Sequence, residues 1–111
     1  MELHETEMSS AVVLAAQGRL DSTSSAVLER RLRDMVAAGR TRIVLDLERV
    51  GYISSAGLRV LVVAGKLLAD HAGRIILSGL SSENRRLFDL SGFTDLFAIA
   101  ADRARAVAEL E

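Results

Sequence analysis

The apolar positions of this chain follow two periods in turn. Val12 to Ala16 is an unbroken apolar run closed by Gly18 and predicts a strand. Leu3 to Glu7 alternates more weakly and predicts an edge strand before it, with Met8 to Ser10 as the hairpin turn. The period then lengthens. Leu28, Leu32, Met35 and Val36 recur at i, i+4, i+7 and i+8, one face of a helix that Asp21 or Ser22 caps and Gly39 stops. Ile43 to Leu47 is apolar except for Asp46 and rich in branched residues, which suits a central strand covered on both faces and closed by that acid. Helical spacing returns over 55–70 with Val60, Val63, Ala64 and Leu67, widened by Leu61 and Leu68, and Gly73 ends it. Arg74 to Ser78 reads as a further buried strand. Ser81 or Ser82 then caps a short helix carrying Leu87, Phe88 and Leu90, stopped by Gly92. Leu96 to Ala100 is a last strand, and Asp102 caps a terminal helix whose Ala104, Val107 and Ala108 face inward.

The resulting order, β-β-α-β-α-β-α-β-α, predicts an α/β fold. Its single, mostly parallel sheet of about five strands is opened by an antiparallel N-terminal hairpin and joined by about four helices. Loops with a function then belong at the carboxyl ends of the parallel strands, and residues 51–57 occupy such a place.

Composition narrows the use of that fold. With 111 residues, half of them apolar, the chain reads as one folded domain over 1–111. A net charge of -1 argues against a nucleic-acid surface. The Arg residues at 30, 31, 33, 40 and 42 are interleaved with acids and read as a solvated helix face, on which Glu29 and Arg33 pair at i, i+4. The chain has no cysteine, so disulfides and thiolate metal sites are excluded and a reducing cytoplasm is compatible. The opening MELHETEMSS has no apolar signal region, and Leu58 to Leu68, broken by Arg59, Gly65 and Lys66, is too short for membrane insertion.

The chemistry concentrates in Tyr52 to Gly57, YISSAG, where a strand delivers paired serines to the start of a helix. Free N–H groups and the positive dipole end make such a place fit for several uses. A serine there caps the helix, or it accepts a phosphate whose charge the helix end tolerates. Gly57 lies in the first turn, where glycine costs about 1 kcal/mol relative to alanine. It therefore signals close approach, by a partner or by a contact within the fold. A serine hydrolase is disfavoured, because the G-x-S-x-G elbow is missing and only His4 and His71 offer a base. His71 lies at a predicted helix end, where its charge suits the dipole. No P-loop, dinucleotide fingerprint or clustered ligand set calls for a cofactor or metal.

Three segments in order, GRLDSTSSAVLERRL, IVLDLERVGYISSAGLRVLV and NRRLFDLSGFTDLF, resemble the STAS domain, and specifically the bacterial anti-sigma factor antagonists. The resemblance covers nearly the whole chain. It implies a non-enzymatic module, without cofactor, that captures an anti-sigma factor and so frees a sigma factor. The partner is typically a GHKL-type serine kinase. Phosphorylation of one serine in the signature loop breaks the capture, and a serine phosphatase restores it. In that family the loop reads roughly D-S-[ST]-G-L, with the hydroxyl before Gly-Leu modified. Alignment on Gly57 and Leu58 puts Ala56 at that acceptor, Ser55 on the preceding serine and Ser54 where Asp is usual. The phosphorylation candidates are therefore Ser55 first and Ser54 second. The residues expected to meet the partner are Asp21, Tyr52, Ser54, Ser55, Ala56, Gly57 and Leu58. The resemblance also allows a STAS subunit of a lipid transporter, or a sensor scaffold with no phosphoswitch. Oligomeric state stays open.

Overall fold

A computed structural model describing residues 1–111 places the expected elements in the expected order. Strands β1 (Glu2–Met8) and β2 (Ala11–Leu20) form an antiparallel hairpin, turned by Ser9 and Ser10, with Ser9 at φ 55°. There follow α1 (Ser22–Ala37), β3 (Arg42–Ile53), α2 (Ser55–Asp70), β4 (Arg74–Ser78) and α3 (Ser82–Ser91). A 3-10 turn (Thr94–Leu96), β5 (Ala98–Ala100) and α4 (Arg103–Leu110) complete the chain. The sheet order is β1-β2-β3-β4-β5, and every pairing after the first is parallel.

Two apolar layers explain the unbroken strand runs. Val12, Leu14, Leu45 and Leu77 face α1, α2 and α3, packing on Leu28, Leu32, Leu61 and Phe88. Val13, Val44 and Ile76 face the other way, onto Ala106, Val107 and Leu110 of α4. Strands covered on both sides have no polar face to alternate with.

Several boundaries differ from those read in the sequence. Met8 belongs to β1, β2 continues through Gly18 to Leu20, and Leu96 lies in the 3-10 turn, so β5 is only Ala98–Ala100. Asp46 does not close the central strand, which runs on to Ile53. The reason is a pair of β-bulges. Between the pairs Ala15–Asp46 and Gln17–Arg49, and again between Gly18–Val50 and Arg19–Tyr52, β3 advances one residue more than β2. Each extra residue sends two neighbours outward, Glu48 with Arg49 and Gly51 with Tyr52, while Leu47, Val50 and Ile53 stay buried. The apolar alternation is broken although the strand is not.

On α4 the inward residues are Ala106, Val107 and Leu110, and Ala104 and Ala108 are exposed. Polar ties set this rotation. Arg103 at the start of α4 donates through Nη2 and Nε to buried Asp46 at 2.8 and 3.1 Å. Arg42 and Arg74 hold the last carbonyls, those of Leu110 and Glu109. Cations at a helix C-terminus also oppose its dipole. Asp46 further accepts from the Glu48 N–H at 3.1 Å. The arginine run is largely paired within the chain. Arg31 and Arg40 grip Glu5 of β1, Arg40 also reaches Glu7, and Arg33 meets Glu29 at 3.0 Å. No helix is long and apolar enough to cross a membrane.

Candidate functional site: the β3–α2 junction

Tyr52 to Gly57 is built by the end of β3 and the first turn of α2. Ser54 is the N-cap. Its Oγ accepts from the Gly57 N–H at 3.2 Å, its carbonyl accepts from the Leu58 N–H at 2.9 Å, and its own N–H donates to the Leu20 carbonyl at 2.8 Å. Ser54 is thus spent on starting the helix and on tying it to β2. Ser55, the first helical residue, is exposed, and its hydroxyl is outside the capping bonds. Ala56 is half-buried.

Gly57 is buried against the same Leu20 carbonyl. A Cβ there would lie 2.7 Å from that oxygen and 2.8 Å from Leu20 Cγ. The close approach signalled by this glycine is made within the fold. Leu58 is only 7% exposed and packs in the core. Gly57 and most of Leu58, expected to meet a partner, are turned inward where the first turn of α2 packs on the end of β2, and Leu58 also borders a groove. Their packing fixes the turn on which Ser55 is exposed.

The neighbouring α1 starts beside this junction. Asp21 is its N-cap: Oδ1 accepts from the Thr23 and Ser24 N–H groups, each at 3.1 Å, and the Asp21 N–H donates to Ser24 Oγ at 2.9 Å. The bond from the Ser24 N–H, more than any other, holds the Asp21 carboxyl below its ordinary value, against a weaker opposing effect of desolvation. Exposed Tyr52 carries the guanidinium of Arg19 on its ring, 4.4 Å from the centroid. Buried Asn84, at the start of α3, donates to the Val50 carbonyl at 3.0 Å and secures the bulged end of β3.

Ser55 and Arg59 stand on a ridge between two grooves. One, about 630 Å³, separates α1 from α2 and is lined by Ser25, Glu29, Arg33 and Ala56 as well as the ridge residues. The other, about 540 Å³, is more apolar and includes Leu58, Val62, Val63, Ser91 and Phe93. Of the expected residues, the structure brings Asp21, Tyr52, Ser54, Ser55 and Ala56 to one end of the sheet. Arg19 and Asn84 are absent from the expected set. An exposed Arg at a strand end and an Asn in a first helical turn carry no distinctive pattern until the bulges are known.

Neither histidine stands by the serines. His71 caps the opposite end of α2, its Nδ1 2.9 Å from the Leu67 carbonyl, and His4 lies on β1 beside Glu2. No three His, Cys, Asp or Glu side chains cluster as metal ligands would.

Residues 3–106 match the STAS domain, and the chain belongs to that family. It is 37% identical over 108 residues to BtrV of Bordetella bronchiseptica, a candidate anti-sigma factor antagonist, covering 97% of this chain and 93% of BtrV. A candidate anti-sigma factor antagonist of Thermotoga maritima superposes with a TM-score of 0.90 at 20% identity, over 97% of this chain and 93% of that one. The phosphorylated form of SpoIIAA from Bacillus superposes at 0.74 with 22% identity, over 99% and 100% of the two chains.

Proposed function

We propose that this protein is an anti-sigma factor antagonist of the cytoplasm, a regulatory binding module with no enzymatic activity of its own. Its partner is an anti-sigma factor of the GHKL serine-kinase class, and phosphorylation of Ser55 ends the capture. A serine phosphatase reverses the mark. The end-to-end similarity to BtrV supports the antagonist role. One observation carries the switch: the exposed Ser55 hydroxyl, outside the caps, on the ridge between two grooves.

Ser54 is the weaker acceptor, because its Oγ must give up the bond it accepts from the Gly57 N–H before it can attack the terminal phosphate of ATP. A phosphate on Ser55 adds about -1.5 to -2 charges at a helix start that tolerates them, so the fold persists while a packed interface is lost. A phosphorylated SpoIIAA shares the fold, in keeping with such a modification.

The test is capture of GHKL-type kinases from the same genome, followed by incubation with ATP and mass-spectrometric mapping. The expected results are capture by the unmodified chain, phosphate on Ser55, and loss of capture for Ser55→Asp. Phosphate confined to another residue, or undiminished capture by Ser55→Asp, would refute the switch. Failure to capture any such kinase would refute the antagonist role.

A further inference from the structure

We infer that Arg19, laid on the ring of Tyr52, is an anchor of the docking surface that takes a carboxylate of the partner. This rests on the antagonist reading above. The second bulge of β3 makes the site: it puts Gly51 out of register, so that Tyr52 pairs with Arg19 at the carboxyl ends of the two strands. Tyr52 is thereby turned outward, 46% exposed, although it lies between buried Val50 and Ile53. Gly18, at φ 120°, sits immediately before Arg19 and fixes the backbone that aims it. Bulges that re-aim a side chain recur beside functional sites.

The Arg19 side chain is 68% exposed, yet it is ordered by two contacts, the ring at 4.4 Å and Asp21 Oδ2 at 3.9 Å from Nε. The second distance is too long for a hydrogen bond, so the N–H fork of the guanidinium remains free. A flat, pre-positioned fork matches a carboxylate in bidentate geometry, and stacking lowers the entropy lost on binding. Arg and Tyr are also the residue types that most often dominate interfaces. The location fits: the next residue, Leu20, accepts the Ser54 N–H, so the backbone that carries the anchor lies at the same carboxyl end of the sheet as the Ser55 turn. The choice of a single carboxylate over a polyanion follows from Asp21 beside the fork and a net charge of -1 on the chain.

The experiment measures affinity for the GHKL-type kinase that the wild-type chain captures, with thermal melts of every variant. Arg19→Ala is expected to weaken binding about 10- to 100-fold with an unchanged melt. Arg19→Lys should not recover it, because an ammonium lacks the fork. Tyr52→Phe should bind like wild type, and Tyr52→Ala should lose part of the affinity. Changing single acidic residues of the kinase to Arg should locate one whose loss is rescued by Arg19→Glu. Wild-type affinity in both Arg19→Ala and Arg19→Glu would overturn the anchor and leave the antagonist role standing. Absence of any wild-type capture would overturn both.

Discussion

Gly57→Ala tests the contact on which the site is built. The added methyl would sit 2.7 Å from the Leu20 carbonyl oxygen, 2.8 Å from Leu20 Cγ and 3.1 Å from Ile53 Cγ2. Two of these are closer than atoms pack, and the nearest is backbone, which cannot swing aside as a side chain does. Overpacking of this kind costs about 1–3 kcal/mol. The displaced carbonyl also accepts the Ser54 N–H at 2.8 Å, and weakening that bond adds about 1 kcal/mol. Alanine returns up to about 1 kcal/mol of helix propensity. The net is a loss of about 1–3 kcal/mol, or roughly 4–8 °C in Tm for each kcal/mol in a domain near this size. Urea unfolding followed by circular dichroism measures it, and partner capture should weaken beyond what the melt explains, because Ser55 rides on the same turn. Equal or higher stability would mean that helix propensity dominates and that the pinch between β2 and α2 is not tight.

The other expectations are simpler. Ser54→Ala removes an N-cap and should cost about 1 kcal/mol, while Ser55→Ala should leave the urea midpoint unchanged; equal effects would contradict the division of labour between the two serines. Arg103→Met strands the buried Asp46 carboxylate, and because the arginine is itself 39% exposed the loss should fall to about 2 kcal/mol, below the range for fully buried pairs. Asp46→Asn combined with Arg103→Met should recover part of it in the same unfolding assay. The depressed pKa of Asp21 contributes stability that is present above the ordinary carboxyl value of 3.8 and is lost as pH falls through the lower folded value. Asp21→Asn keeps a cap but cannot titrate, so its deficit against wild type at neutral pH should shrink below about pH 3.8, as acid-unfolding curves would show.

The periodicities of Leu28–Val36 and Val60–Leu68 and the run Ile43–Leu47 suffice for the alternation of helix and strand, and hence for the sheet. What they do not hold is the end of β3. A bulge moves side chains from face to face without changing any residue's character, so Glu48, Arg49 and Tyr52 read as loop while they remain in a strand. The same blind spot conceals Arg19, whose partner across the sheet depends on that register. The serine pair was legible as a helix start, but its division into a cap and a free hydroxyl depends on backbone geometry. Gly57 stood out by its cost in a first turn, yet its neighbour could be identified only in three dimensions. On α4 the inward face depended on Asp46, 57 residues away from Arg103 in the chain.

The strand order has a consequence for what the molecule presents to others. Each strand lies beside its predecessor in the chain, and the helices α1, α2 and α3 that join the parallel strands cover one face. The order never reverses. Open parallel sheets form their ligand crevices where successive connections leave on opposite sides, and this sheet has no such divide. Its carboxyl edge carries instead open grooves between adjacent helices, α1 with α2 and α2 with the end of α3. Grooves of this kind suit contact spread along a partner's surface, where selectivity comes from complementarity over a large area, more than enclosure of a small molecule.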